Sequence, residues 1–305
     1  MRSLESIIRR GQRQDLIFKV MGIVLTVLCL GTLGVLMLDL AVSGLPRLTA
    51  GFFTSFPSRN AEEAGILSAW VGSLLIMIVT ALLAIPLGIG AGIYLEEYAR
   101  KNWLTGLIEI NIANLAGVPS IIYGLMALGL LVYKFHLGTS ILTGGITLAF
   151  LILPIVIVAT REALRAIPQN MREAAYALGA SRWQVVKDHL LAYSAGGIST
   201  GVIIALGRAI GETAPLVTIG ALTYIAFLPP VPFTHTEAGQ MVSPVAWVWS
   251  PFTVLPIQMF NWVSRPGDDF QANAAATGLV LMLATLGING IAIIIRYRIR
   301  RRIKW

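Results

Sequence analysis

Two residues of opposite charge lie four positions apart within a long apolar part of the chain. The stretch GRAIGETAP at 207–215 contains Arg208 and Glu212, and its surroundings from about residue 196 to 227 are mostly Gly, Ala, Ile, Leu, Val and Thr. On a helix these two positions share one face, so the side chains can pair. The forked donors of the guanidinium are equally suited to an oxyanion. The spacing therefore fits either an ion pair that holds helices together or an anion-binding group on a translocation path.

The composition indicates which solvent surrounds this pair. Of the 305 residues, 56% are hydrophobic and 12% are charged, and the mean hydropathy is +0.77. Soluble domains contain about 25% charged residues, so these values indicate a polytopic membrane protein. The net charge of +8 is spread between apolar blocks, which argues against a nucleic-acid partner. The single Cys29 and three isolated histidines give no disulfide framework and no metal-ligand spacing.

Six apolar stretches are long enough to cross a bilayer, which takes about 20 residues of helix. The first is too long for the core of a cleaved signal peptide and is expected to remain as a span or anchor. The sequence therefore predicts an all-α membrane protein with six transmembrane helices, at about 17–42, 69–95, 110–132, 138–159, 198–227 and 272–295.

The basic residues predict the orientation of these helices. Eighteen of the 23 Lys and Arg residues lie in the N-terminal segment, at 100–101, at 161–187 and in the C-terminal tail, whereas the alternate segments hold four. Cytoplasmic loops of membrane proteins contain an excess of Lys and Arg. Both termini are therefore expected in the cytoplasm.

Arg208 lies ten residues into the predicted fifth span. That is about 15 Å along a helix, near the middle of a hydrocarbon layer of about 30 Å. An ionisable residue at that depth costs about 2.5–3.5 kcal/mol and usually faces a partner or water. Glu212 can neutralise the guanidinium, and Thr213 adds a hydroxyl nearby.

Proline also interrupts the predicted third span. Pro119 removes a backbone hydrogen bond and is expected to bend the helix, with Gly117 and Gly124 on either side. Ser120 and Tyr123 then lie either at a packing kink or on the translocation path. Both interpretations fit the sequence.

The longest external loop, at 228–271, is rich in proline and aromatic residues. Part of it has apolar residues at helical spacing, which indicates an amphipathic segment lying in the outer membrane interface. Tryptophan is common at that level. The predicted apolar face consists of Phe252, Leu255, Met259, Phe260 and Val263, with Trp247, Trp249 and Trp262 as anchors.

The cytoplasmic segment 167–191 predicts two short helices. Pro168 suits a first helical position, Gly179 suits the left-handed residue after a helix, and Ser181 with Gln184 forms a capping-box pattern. Five residues of the first helix share one face, namely Ile167, Met171, Ala174, Ala175 and Leu178, and the second helix has Trp183, Val186 and Leu190 on one side.

Small residues make this segment a candidate docking surface. Ala174, Ala175 and Gly179 leave a low-relief surface that another protein can cover closely, and Glu173 offers a charge. A simple connector between two spans fits the same pattern. The resemblance to known proteins is more specific: Glu-Ala-Ala, three residues and then Gly is similar to the EAA loop of importer permeases in the ATP-binding cassette (ABC) superfamily. In that family the loop docks on the ATPase subunit. The family pattern continues to an Ile-x-Leu-Pro, of which this chain has only Leu191.

Further stretches, at 68–99, 113–130 and 207–221, resemble the permeases of Pst phosphate importers. The GETAP motif and the stretch 250–266 resemble the A-type rather than the C-type subunit. The resemblance covers about 65–296. It implies a type I importer permease core at 65–296, with a coupling loop at 161–191 and the external loop at 228–271. The core is preceded by a cytoplasmic segment, first helix and loop at 1–64 and followed by a basic tail at 297–305.

The resemblance also implies partners and location. It implies a C-type second permease, an ATPase dimer that binds ATP and Mg, an external phosphate-binding protein, and inorganic phosphate as cargo. The chain would lie in the bacterial inner membrane, in contact with lipid and not with nucleic acid. It would bind no cofactor and catalyse no reaction, since the phosphate-loop pattern G-x-x-x-x-G-K-[ST] does not occur. The resemblance also favours a position for Arg208 on the translocation path over a purely structural ion pair.

Three alternatives remain open. The chain can be a permease for another oxyanion, such as molybdate, sulfate or phosphonate. It can be a secondary transporter or channel that works without an ATPase, although the small-residue loop then has no explanation. It can also be a membrane enzyme with Glu212 as an acid or base, although no second catalytic group lies at a readable spacing.

Overall fold

The computed structural model describes residues 2–234 and 241–302, which form helices joined by turns and loops. In chain order the α-helices are α1 (Arg2–Gly44), α2 (Ala50–Thr54), α3 (Leu67–Ile93), α4 (Trp103–Leu115), α5 (Ser120–Ala127), α6 (Ile141–Arg165), α7 (Gln169–Ala177), α8 (Arg182–Gln184), α9 (Leu191–Ile210), α10 (Ala214–Thr218), α11 (Leu255–Val263) and α12 (Asp268–Arg302). Three of them continue directly into π-helical turns, at Tyr94–Tyr98 after α3, Leu128–Lys134 after α5 and Val185–Leu190 after α8.

Five helical segments of the described chain are long and apolar enough to cross a membrane. A sixth crossing is possible if the pair Trp103–Leu115 and Ser120–Lys134, which is bent by 104°, counts as one span. The all-α architecture predicted from the sequence is thereby confirmed. The five segments are Gly11–Arg47, Leu67–Tyr98, Ile141–Arg165, Arg182–Ile210 and Asp268–Arg298.

The predicted fifth span, 198–227, is wrong at both ends. The helical segment starts at Arg182 and α9 stops at Ile210. Pro215 explains the end: in a continuous helix it would lack one hydrogen bond and its ring would clash with the carbonyl of Gly211. Instead Pro215 lies in the first turn of the separate short helix α10. The apolar residues that suggested a longer span, such as Leu216 and Ile219, are buried inside the protein.

Helices α3, α6 and α9 form the centre of the protein, with α6 the most deeply buried. Small residues bring α3 and α6 into close contact. A Cβ on Gly88 would lie 2.6 Å from Val156, and one on Gly92 would lie 2.6 Å from Thr160. Such contacts let helix backbones approach closely inside a membrane.

Helix α1 lies at the edge of this core. Most of its side chains from residue 12 to 43 are exposed, and it meets the rest of the chain where Gly44 packs on the backbone of Ala276 in α12. Just after α1, Arg47 donates hydrogen bonds to Asn273 Oδ1 and to the carbonyl groups of Ala61 and Glu62. The helix is therefore attached at one end and otherwise presents an apolar surface suited to lipid.

The segment around α11, which the sequence predicts as an interfacial helix of an external loop, is mostly buried. Trp262 and Ile257 are fully buried, whereas Phe260 and Val263 of the predicted apolar face are exposed. Trp262 packs on the ring of Phe52, with 5.9 Å between ring centroids. The aromatic composition does not distinguish a membrane interface from a protein interior, because Trp suits both.

We expect Gly72→Ala to destabilise the protein by about 1–3 kcal/mol, the usual effect of overpacking. A Cβ at this position in α3 would lie 2.1 Å from the carbonyl oxygen of Thr253, a backbone atom that cannot move aside easily. The control is Gly90→Ala in the same helix, where the added Cβ meets no atom within 4 Å. Thermal unfolding in detergent should show a lower midpoint for Gly72→Ala only. Equal unfolding midpoints would contradict this contact between α3 and the segment just before α11.

Candidate transmembrane site and cytoplasmic docking loop

The ion pair expected from the sequence is present, but it lies at the end of a helix. Arg208 Nε is 3.3 Å from Glu212 Oε1, with 37% and 18% of the two side chains exposed. Arg208 is in the last turn of α9, and Glu212 lies beyond it, where its backbone N–H donates to the carbonyl of Ala209. A positive charge is favourable beside the unpaired carbonyl groups of a helix C-terminus.

The neighbouring helix α12 indicates the depth of this pair. Arg296 Nη1 donates to Thr200 Oγ1 over 2.8 Å, so Thr200 lies level with the basic end of α12. Arg208 is eight residues further along α9, about 12 Å at helical rise. With the basic end at one boundary of a hydrocarbon layer of about 30 Å, Arg208 lies well inside it. The wrong boundaries of the predicted span therefore change the expected depth only slightly.

A sharp bend faces this helix end from α4 and α5. The two helices meet at 104° across residues 116–119, and the buried Tyr123 donates its hydroxyl to the carbonyl of Leu115 over 2.9 Å. The chain bends before Pro119, which precedes α5 as its N-cap. Tyr123 thus fixes the bend by joining the start of α5 to the end of α4.

The bend and the break after α9 pack against each other. A Cβ on Gly124 of α5 would lie 2.7 Å from Pro215 Cα and 2.8 Å from Thr218 Cβ. Of the predicted path residues, Arg208 and Glu212 therefore form the ion pair, and Tyr123 lies on α5, which packs on the segment that follows Glu212.

Ser120 and Thr213 are placed less directly. Ser120 is the first residue of α5 and Thr213 is the residue before α10, and both are half-buried. Neither side chain has a hydrogen bond to Arg208 among the described residues. They lie on the two packed segments but outside the ion pair.

Asn289 is a polar residue near this site that the sequence reasoning missed. A Cβ on Gly207 would lie 3.2 Å from Asn289 Oδ1, so this amide of α12 faces the helix turn that holds Arg208. Its buried Oδ1 has no hydrogen-bond partner within the described residues. The available signal was an amide in the mostly apolar second half of the last span.

The loop that contains α7 and α8 has the turn geometry that its sequence predicts. Gly179 has φ +85°, its N–H donates to Tyr176 O, and the N–H of Ala180 donates to Ala175 O. These two bonds form the Schellman motif that ends a helix. Ser181 and Gln184 complete the capping box in both directions. Pro168 is the residue just before α7 rather than its first residue.

The small residues of the predicted docking surface are exposed only in part. Ala174 and Gly179 are exposed, as is 90% of Leu178, whereas Ala175 and Ile167 are buried. Leu178 is the C-cap of α7, where the chain leaves the helix and the helical spacing ends. Trp183 is also exposed, because the π-helical turn that follows α8 has a different number of residues per turn. The outer surface therefore combines Glu173, Ala174, Tyr176, Leu178, Gly179 and Trp183.

Beneath this loop lies a cluster of ion pairs that the sequence reasoning did not identify. It joins Arg161 and Arg165 of α6 and Arg172 of α7 to carboxylates at the end of α3 and in α4. The cluster borders a polar cavity of 1160 Å³ between α7 and α4. The sequence signal for this cluster was the pair of glutamates in the stretch YLEEYA, together with the five basic residues at 161–187. The members are Glu96, Glu97, Glu109, Arg161, Arg165 and Arg172.

Comparison with known proteins identifies this arrangement. Residues 84–304 match the family described as binding-protein-dependent transport system inner membrane component. The probable ABC transporter permease protein YqgI of Bacillus subtilis (strain 168) is 34% identical over 250 residues, which cover 81% of this chain and 83% of that protein. The phosphate transport system permease protein PstA of Yersinia pestis is 34% identical over 253 residues, 83% of this chain and 79% of that protein.

A solved structure gives the same fold. A chain from inward-facing conformations of the MetNI methionine ABC transporter superimposes with a TM-score of 0.57, covering 75% of this chain and 93% of that chain. At 15% sequence identity this is a likeness of fold alone. The importer-permease fold expected from the sequence is confirmed.

We expect Tyr123→Phe to loosen the bend between α4 and α5, because a buried carbonyl, that of Leu115, loses its donor at a cost of about 1–3 kcal/mol. Hydrogen exchange of the amides at 117 and 118, which are bonded across the bend, should become faster. Tyr133→Phe is the control, since Tyr133 is exposed and its hydroxyl has no partner within the described chain. Unchanged exchange in Tyr123→Phe would show that this hydroxyl does not fix the bend.

Proposed function

The chain belongs to the family of binding-protein-dependent transport system inner membrane components, and from this premise we propose that it is the membrane-spanning permease subunit of an ATP-driven importer of inorganic phosphate. Its similarity to a phosphate transport permease over four-fifths of both chains supports this cargo. The ion pair between Arg208 and Glu212 at the break after α9 is the observation on which the proposal depends.

An exposed guanidinium at this depth must face water or another protein surface rather than lipid. Insertion of an arginine into the membrane centre costs about 2.5–3.5 kcal/mol, and irregular backbone is tolerated there only inside protein or beside water. Arg208 is more than one-third exposed and the backbone from Gly211 to Thr213 is not helical. This face therefore lies beside an aqueous path or the surface of a second permease.

The guanidinium retains donors for cargo. Only Nε of Arg208 is engaged, by Glu212, and its two Nη groups have no hydrogen bond within the described residues. Two Nη groups can donate to two oxygens of one phosphate. Glu212 balances the charge while the path is empty, which keeps binding weak enough for release.

The loop around α7 is the proposed docking surface for the ATPase. Its exposed Leu178 offers an apolar side chain for a partner's pocket, and Ala174 and Gly179 permit a close approach around it. Apolar anchors surrounded by small contacts are typical of protein interfaces. ATP binds with Mg and is hydrolysed on that partner, so this chain has no catalytic residue and no cofactor of its own.

The remaining partners follow from the proposed importer. A related second permease of the PstC type completes the path, and an external binding protein delivers phosphate to it. The chain crosses the inner membrane of a bacterium several times, with both termini in the cytoplasm. The basic loops and tail support this orientation.

We expect Arg208→Gln to lower phosphate uptake at least tenfold in vesicles that contain the partner subunits. The substitution removes both the positive charge and the paired Nη donors proposed to bind phosphate. Arg208→Lys, which keeps the charge without the fork, should retain part of the uptake. The amount of each variant in the membrane and its assembly with the partners are measured alongside. Normal uptake by Arg208→Gln would make the ion pair a purely structural contact.

The same vesicles test the cargo. Excess sulfate, molybdate or phosphonate should leave uptake of labelled phosphate by the wild-type protein within about twofold. Strong competition by one of these anions would assign the permease to that oxyanion instead. Uptake without the ATPase would point to a secondary transporter or channel.

We expect Gly179→Leu to uncouple ATP hydrolysis from transport. A side chain in the left-handed conformation costs about 1–2 kcal/mol, and it adds bulk to the surface that meets the ATPase. Uptake should fall at least tenfold while basal ATP hydrolysis continues. The control is Gly196→Leu, where an added Cβ also meets no atom within 4 Å but the backbone is helical. Unchanged uptake and phosphate-stimulated hydrolysis in Gly179→Leu would contradict docking at this surface.

A further inference from the structure

The proposed docking loop is fastened to the membrane helices by one buried arginine. Arg172 of α7 places Nη2 2.8 Å from Glu97 Oε1, at the end of α3. Its Nη1 donates to the carbonyl of Ile167 over 2.8 Å, and Nη2 also donates to the carbonyl of Leu164 over 2.9 Å. A single planar guanidinium therefore joins α7, the C-terminal end of α6 and the end of α3.

The next glutamate extends this connection. Glu96 lies on the same π-helical turn as Glu97 and binds Arg165 of α6 with both carboxylate oxygens, at 3.2 and 2.9 Å. Its Oε2 is also 3.6 Å from Nε of Arg161. The end of α3 is thus bound to the docking loop on one side and to α6 on the other.

The connection ends on α4, the helix that leads to the bend. Arg161 Nη2 lies 2.7 Å from Glu109 Oε1. Helix α4 then ends at Leu115, whose carbonyl accepts the hydroxyl of Tyr123 in α5. The ion pairs therefore connect the docking loop to α4, and α4 leads to the bend that packs on the segment after α9.

A purely structural role does not explain where these charges lie. The loop already packs on the membrane helices through an apolar cluster that includes Leu164, Ile167, Val186 and Leu190. In the direction of α4, however, the 1160 Å³ cavity separates α7 from its neighbour, and five of the six charged residues line that cavity. On this side the ion pairs join the loop to the end of α3, and α6 to α4.

We propose that Arg172 is a positioning residue of the transport cycle, which transmits displacement of the docking loop to α3 and, through Glu96 and Arg161, to α4 and the bend. This inference rests on the proposed importer and on docking of its ATPase at α7. Removing the guanidinium leaves the loop attached through its apolar cluster, which includes Ile93 of α3, but removes its ion pair with the end of α3. The pair can transmit a displacement because both side chains are buried and the guanidinium is also held by two backbone carbonyl groups.

The test compares phosphate transported per ATP hydrolysed in vesicles containing the full complex, for Arg172→Gln, Glu97→Gln and the double variant. We expect each single variant to lower this ratio at least tenfold and the double variant to be no worse, because either change breaks the same link. Arg172→Lys should restore part of the ratio. A residue that only stabilises the fold would lower the amount of complex and leave the ratio unchanged.

The matched control is Arg100→Gln, which removes the same charge from an exposed position without an ion pair in the described chain. Its ratio should remain within about twofold of wild type. An unchanged ratio in Arg172→Gln, with wild-type transport intact, would overturn the proposal alone. Absence of phosphate transport by the wild-type complex would instead overturn the proposed function.

Glu109→Gln tests the proposed connection if the Arg172 and Glu97 variants fail to enter the membrane. One-third of the Glu109 side chain is exposed, so its loss is tolerated more easily than that of Arg172. We expect a several-fold lower ratio, since the last ion pair to α4 is lost. A ratio equal to that of wild type would overturn the proposed connection.

Discussion

The need to satisfy backbone hydrogen bonds away from water constrains every feature of this permease. Within hydrocarbon, a broken helix is tolerated only where other protein groups or a water-filled path replace its lost bonds. The chain has two such breaks, one before α5 and one after α9, and they pack on each other at Gly124 and Pro215. Arg208 and Glu212 lie close to these breaks, where the backbone already requires protein or water rather than lipid around it.

The rigid centre makes these breaks possible. Helices α3 and α6 are held together through glycine contacts, and α9 packs on α6 through further small residues, with Gly201 against Ala159. Close packing of this type fixes backbone positions without polar bonds. Two pieces of irregular chain can then keep a defined geometry, since the helices on which they rest do not shift independently.

Features that depend on neighbouring residues could be predicted from the sequence. The apolar spans follow from length and composition, the left-handed Gly179 and the Ser181 cap from residue type, and the contact of Arg208 with Glu212 from their spacing. Features that depend on distant segments could not. The burial of Trp262 requires Phe52, and the ion pair of Arg172 requires Glu97, each from a distant part of the chain. The end of α9 is an intermediate case, because the effect of Pro215 was readable but the apolar run around it suggested a continuous span.

The close contact of Gly124 with Pro215 has a consequence for the mechanics of the protein. There is no space between the two segments, so they cannot approach further, and separating them would open an apolar void in a place where no water is stable. The two segments are therefore constrained to slide past each other or to rotate together. A rotation of α5 would then carry with it the segment that follows Arg208 and Glu212.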